Sequence, residues 1–96
     1  MIPLTKSLVL RLYVAGSRSR SLRAVANIRK VCEEHLGDDY DLEVIDIYQT
    51  PEAAQEGQVI AAPTLVKESP APIRRVIGDM ADEGHVLNAL GVRAPA

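Results

Sequence analysis

Between Leu8 and Tyr48 the spacing of the apolar residues changes twice, and this alternation restricts the fold more than any other feature of the chain. Leu8-Val9-Leu10-Arg11-Leu12-Tyr13-Val14 is rich in β-formers and closes at Ala15-Gly16. As a strand it puts Leu8, Leu10, Leu12 and Val14 on one face. From Leu22 the apolar positions Val25, Ile28, Val31, Cys32 and Leu36 recur at helical spacing. Ser19 or Ser21 can cap that helix, and Gly37 stands where a left-handed terminator belongs. Leu42 to Tyr48 returns to strand composition. Strand, helix and strand at this separation make a βαβ unit, whose crossover is right-handed in nearly every case.

The remaining half carries shorter elements. Pro51 to Glu56 suits a short helix with proline in its first turn. Ala62–Lys67 and Ile73–Ile77 read as two strands around the turn Ser69-Pro70-Ala71-Pro72. Asp79 can cap a last helix carrying Val86, Leu87 and Leu90, closed by Gly91; Gly84 inside it costs up to about 1 kcal/mol against alanine. The order βαβαββα is the thioredoxin-like α/β arrangement, in which Ala62-Pro63 is the candidate cis step. At 96 residues the chain is one domain, residues 1–96. Folding at this size buries only about 60–65% of the unfolded surface, so a second copy or a partner counts for more than usual.

A formal net charge of −2 gives no long-range pull toward nucleic acid or anionic lipid. With no Phe, no Trp and three Tyr there is no platform on which bases could stack. No segment approaches the ~20 apolar residues of a membrane span. Met1 to Lys6 lacks the apolar run of a signal peptide, so a cytoplasmic protein is expected. A redox enzyme of this fold needs a low-pKa cysteine at the mouth of the first helix. That place is occupied by Gly16-Ser17-Arg18-Ser19-Arg20-Ser21. Cys32, the single cysteine, falls on the helix's apolar face and reads as a small buried hydrophobe. The three serines read as caps rather than nucleophiles, since no base lies near them in sequence. His35 and His85 read as surface residues with no partner at metal-ligand spacing. No catalytic residue, metal site or cofactor is expected. What stands out is basic: Arg18, Arg20 and Arg23 around a helix start, and Arg74-Arg75 within a strand, where alternation points them to opposite faces. These are candidates for an anion site, a solvated surface or a protein interface.

Leu12-Tyr13-Val14-Ala15-Gly16 followed by Ser21-Leu22-Arg23-Ala24 resembles the opening of the KaiB family, the small components of the bacterial circadian oscillator. Val44-Ile45-Asp46 with Pro51, then Ala62-Pro63-Thr64-Leu65, is similar to the family's middle. Pro72-Ile73-Arg74-Arg75-Val76-Ile77-Gly78-Asp79 resembles its most distinctive stretch, and the match runs ungapped from about Leu8 to Leu90. The resemblance implies a protein without enzymatic activity that exists in two folds. One is a resting form, often a tetramer, of order βαββααβ; the other is a rare thioredoxin-like form that binds the N-terminal ATPase ring of KaiC. In the full clock that form also captures KaiA and competes with a histidine kinase for the ring. Carried over by position, Arg11, Arg23, Arg74 and Arg75 are expected to contact a KaiC-type ATPase. Tyr13, Pro63, Gly78 and Asp79 are expected to set the balance between folds. A dimer or tetramer is expected at rest.

Three departures bear on partners. Asp41 and Glu43 hold outward positions of the second strand where clock members carry a small residue and a lysine, which argues against KaiA capture. Asp82-Glu83-Gly84-His85 replaces a more basic run, and the acidic tail of cyanobacterial members is missing after Arg93. Together the three suit a relative from a system without a full three-protein clock, serving stress or simpler timing control. Two other readings are a detached sensor domain of a KaiC-associated histidine kinase, which would ordinarily precede a kinase, and a glutathione-dependent or redox enzyme.

Overall fold

In a computed structural model residues 8–56 and 63–92 are described. Their order is β1 (Leu8–Val14), α1 (Ser19–His35), β2 (Tyr40–Asp46), α2 (Pro51–Glu56), β3 (Thr64–Ser69), β4 (Arg74–Ile77) and α3 (Glu83–Leu90). This is the thioredoxin-like order, not the alternative βαββααβ. The strands form one sheet in the order β2-β1-β3-β4. β1 pairs parallel with β2 and antiparallel with β3, and β4 returns antiparallel along β3.

Leu8, Leu10, Leu12 and Val14 share the buried face predicted for them, with Leu65 and Val76 beside them. Onto this face α1 lays Ala24, Ile28, Val31 and Cys32, the stripe that helical spacing requires, and α3 adds Val86, Leu87 and Leu90. Tyr13, Thr64 and Val66 point the other way along their strands and are buried as well. Only the end of β1 is buried on both faces, which is why Leu12-Tyr13-Val14 reads as an unbroken apolar run while Arg11 before it is exposed.

Several local expectations shift. α1 starts at Ser19 with Arg18 as its N-cap residue and no side-chain cap. Ser21 therefore lies in the first turn on the buried side, and its hydroxyl accepts the Ala15 N–H at 3.0 Å instead of capping the helix. β2 ends at Asp46, not Tyr48, because the Asp46 carboxylate accepts the N–H groups of Gly16 (3.1 Å) and Tyr48 (2.9 Å) and turns the chain there. Gly16 has φ +58°, and a Cβ on it would stand 3.1 Å from the Tyr48 ring, so the close of β1 admits only glycine without rearrangement. α3 is capped by Asp82, whose Oδ1 accepts the His85 N–H at 3.1 Å; Asp79 is not the cap. Gly84 consequently falls in the first turn rather than the helix interior. Gly37 and Gly91 follow the ends of α1 and α3 in the left-handed conformation, as predicted. The Ser69-Pro70 and Ala71-Pro72 bonds are cis; the Ala62-Pro63 step lies outside the described residues.

The exit from β4 depends on Gly78, whose φ of +119° is a region that L side chains rarely adopt. Its N–H donates to Pro63 O at 3.0 Å, tying the start of β3 to the end of β4. Space is not the limit, since a Cβ there would meet only Arg20 Nη2, at 3.7 Å. Gly78→Ala should therefore lower stability through backbone strain alone, by about 1–3 kcal/mol. Urea unfolding measures this, and an unchanged midpoint would show that the turn relaxes.

Candidate functional site

The residues singled out in the sequence fall into three groups. The first lies where the β4–α3 segment meets α1. Arg23 Nε is 3.4 Å from Asp79 Oδ2, and Asn27 Nδ2 donates to the Asp79 carbonyl at 2.8 Å. The Asp79 carboxylate also accepts the Ala81 N–H at 3.1 Å. One aspartate thus holds its own turn and pins it to the helix. Gly78 precedes it and bonds Pro63, so Pro63, Gly78, Asp79 and Arg23 form one continuous contact chain at this end of the sheet. Asn27 belongs to this group although nothing in its sequence context marks it.

The second group lies on the sheet face away from α1. Arg11 stands opposite Glu43 in the β1–β2 register, with Nε 3.5 Å from Glu43 Oε1 and Nη1 3.9 Å from Glu68 Oε1. A hydrogen bond to the neighbouring Tyr13 side chain favours the charged guanidinium most, against some desolvation, with the charges of Glu68 and Glu43 adding to it. Arg11 therefore already has acidic neighbours within its own chain, in pairs that are largely solvated. Tyr13 itself is 1% exposed and sits opposite Thr64, next to Pro63.

The third group is the β4 edge. Arg74 and Arg75 are exposed and, by strand alternation, point to opposite faces as predicted. Ile73 and Ile77, 52% and 61% exposed, flank them. Lys67 stands opposite Arg74 in the β3–β4 register although it is only 6% exposed. Two like charges paired across strands oppose folding, and an acidic partner would relieve the conflict. Sequence reasoning missed Lys67; a hairpin register drawn across the 70–73 turn would have found it.

Where a redox enzyme of this fold keeps its thiolate, the chain has an open pocket of about 580 Å³ lined by Ser17, Arg18, Ser19, Arg20, Ser21 and Pro63. Ser21 is committed to Ala15, and the Arg18 guanidinium lies 5.9 Å over the Tyr48 ring. Cys32 is fully buried and its thiol is pushed up to about 11, chiefly by desolvation, with Glu33 raising it further and Arg29 opposing. His85 is exposed as predicted, whereas the His35 side chain is only 15% exposed and its Nε2 lies 2.9 Å from Glu83 Oε1. Glu34 adds a third ligand-type atom, the set lying within 4.8 Å of one another, a grouping that spacing along the chain does not reveal. Among the described residues no helix is long and apolar enough to cross a membrane.

The KaiB domain model matches residues 11–92. The chain is 45% identical over 85 residues to circadian clock protein KaiB3 of Synechocystis sp., covering 88% of this chain and 83% of that one. It is 42% identical over 90 residues to the circadian clock oscillator protein KaiB of Trichodesmium erythraeum, covering 94% and 86%. Among solved structures the N-terminal domain of Synechococcus elongatus SasA superposes with a TM-score of 0.74 at 19% identity, over 100% of this chain and 94% of that one. Mitochondrial thioredoxin 3 of Saccharomyces cerevisiae superposes with a TM-score of 0.72 at 16% identity, over 90% and 78%. At such identities both likenesses speak to the fold alone.

The buried thiol generates a prediction. A folded-state pKa raised to about 11 keeps Cys32 protonated while the unfolded chain ionises near its ordinary value of about 8.5. Its contribution is thus fully present below that value and is lost as pH rises toward 11. Wild type should lose stability over this range more steeply than Cys32→Ala. Alkylation of the native thiol should also be far slower than in urea. Equal slopes, or fast native alkylation, would contradict the burial.

Proposed function

The chain belongs to the KaiB family, and from that premise we propose that it is a non-enzymatic binding module for the ATPase ring of a KaiC-type protein. Through that contact it regulates the ring's phosphorylation state or output, in a circadian or a simpler timing or stress circuit in the cytoplasm. The observation that carries this reading is the β4 edge, where Arg74 and the exposed Ile73 and Ile77 stand beside the opposed Lys67. Apolar anchors beside the like-charged Lys67–Arg74 pair suit a protein surface of acidic character, and the open side of this short edge strand leaves room for it. Arg75 joins this surface on the opposite face of the strand. Arg23 and Arg11 contribute less directly, since each is held by a carboxylate of its own chain.

Fold switching is part of the proposal. β3, β4 and α3 connect to the rest through the β1–β3 ladder, the Asp79 contacts and the packing of α3 on α1. Two packings of one sequence can coexist when they differ by only a few kcal/mol. Pro63, Gly78 and Asp79 sit at the end of the sheet that such a repacking must open, with Tyr13 alongside. Dimers or tetramers belong to the resting form. KaiA capture is not proposed, because Asp41 and Glu43 leave the β2 edge acidic and Glu43 is engaged by Arg11.

Size exclusion and fluorescence anisotropy with the KaiC-type ATPase of the same organism, in ATP, in ADP and with a phosphomimetic variant, test this. A complex should form over hours, and Arg74→Ala should weaken it by about tenfold or more, as loss of a central arginine commonly does. Arg11→Ala should weaken it less. Absence of a complex in every state, or an Arg74→Ala variant that binds like wild type, would contradict the proposal.

A further inference from the structure

The end of α1 and the start of α3 meet at a set of donors that no part of the partner-binding surface uses. Glu34 and His35 come from the last turn of α1 and Glu83 from the first residue of α3. One ligand atom from each lies within 4.8 Å of the other two, and His35 Nε2 is 2.9 Å from Glu83 Oε1. We propose that Glu34, His35 and Glu83 form a binding site for a first-row divalent cation of the Zn²⁺ type, which staples α1 to α3.

The donor set decides the cation class. One imidazole nitrogen with two carboxylate oxygens suits Zn²⁺, Co²⁺ or Ni²⁺, whereas Ca²⁺ and Mg²⁺ favour all-oxygen shells and Cu⁺ favours sulfur. Tetrahedral bonds of about 2.0–2.1 Å put neighbouring donors about 3.3 Å apart. His35 Nε2 and Glu83 Oε1, hydrogen-bonded at 2.9 Å, need to part only slightly to reach that spacing as the cation replaces the proton between them. Glu34 is exposed and unburdened by packing, so a rotamer change draws its carboxylate in. The half-buried His35 ring is the fixed point: its side chain is 15% exposed against 48% for Glu83, so the nitrogen is held toward the site while the carboxylates adjust. Water completes the shell on the open side. An ordinary histidine–carboxylate hydrogen bond accounts for the His35–Glu83 pair, but it leaves the convergence of Glu34 on the same point without a role.

The ligands come from segments 48 residues apart in sequence, joined only by tertiary structure. A cation held by all three therefore favours the arrangement that brings them together, by the amount that mass action gives. If the chain exchanges between two packings, as the proposed function holds, the cation selects the thioredoxin-like one. That consequence rests on the fold-switch reading; the site does not.

Tag-free protein titrated with Co²⁺ by visible absorption and with Zn²⁺ by calorimetry tests the site. One cation should bind per chain, more weakly in acid than at neutral pH, because the ligands must be deprotonated to bind it. Glu34→Gln and His35→Gln should each weaken binding at least tenfold, while His85→Gln, which changes the other histidine, leaves it unaltered. Glu34→Gln leaves the His35–Glu83 pair intact and so separates loss of a ligand from loss of the fold, which circular dichroism monitors. Zn²⁺ should raise the thermal midpoint of wild type and of His85→Gln, but not of His35→Gln. Binding that survives His35→Gln, or that disappears in His85→Gln, overturns the site. So does a wild-type protein that binds no cation. None of these outcomes depends on whether a KaiC-type ATPase is bound, so failure of the partner reading would leave this result standing.

Discussion

Everything in this molecule hangs on β1. It is one of the two central strands, parallel to β2 and antiparallel to β3, with Leu10, Leu12 and Val14 buried on one face and Tyr13 on the other. The N-terminal half closes on it through the right-handed crossover of α1, which needs nothing from the rest of the chain to form its ladder. The C-terminal half has no such independence. β4 reaches the sheet only through β3, and α3 is held by α1 and β4. The ladder between Leu10–Tyr13 and Thr64–Lys67 is thus the joint between a self-contained βαβ unit and an appended ββα unit.

This division gives the polar contacts their meaning. Asp79 takes Arg23 on its carboxylate and Asn27 on its carbonyl, both from α1, and so couples the turn after β4 to the self-contained half. The Arg23–Asp79 pair is largely solvated and contributes little by itself. Its value is positional, because it fixes where the β4 edge stands relative to α1. On the far face Arg11 is satisfied by Tyr13, Glu43 and Glu68, so the middle of the sheet presents a compensated surface. At β4 the register sets two like charges, Lys67 and Arg74, opposite one another.

Much of this was legible in the residues. The alternating Leu8, Leu10, Leu12 and Val14 and the helical Ile28, Val31 and Cys32 follow from apolar period, and the order of the seven elements from that period together with the Pro and Gly turn residues. The family followed from the Leu12–Gly16 and Pro72–Asp79 stretches, which the matched model and the cyanobacterial relatives bear out. What escaped was set by tertiary contacts. Ser21 looked like a cap until the helix began two residues earlier and turned its hydroxyl to Ala15. Asp79 looked like the cap of α3, but the Met80 turn, at φ +64°, delays the helix until Asp82 can serve. Lys67 and Asn27 carry no local signal, and His35 and Glu83 are distant in sequence. Their roles exist only once the two halves have docked.

The claim on which the rest turns is that the ββα half, docked on β1 as described, is the partner-binding form. Backbone NMR of isotope-labelled protein bound to the KaiC-type ATPase reads this directly. Extended shifts for residues 64–69, helical shifts for 83–90 and a cross-strand contact between Leu12 and Leu65 are the predicted result. A bound chain with helical shifts across 64–69, or without the Leu12–Leu65 contact, would show that the partner selects another packing and would contradict the claim.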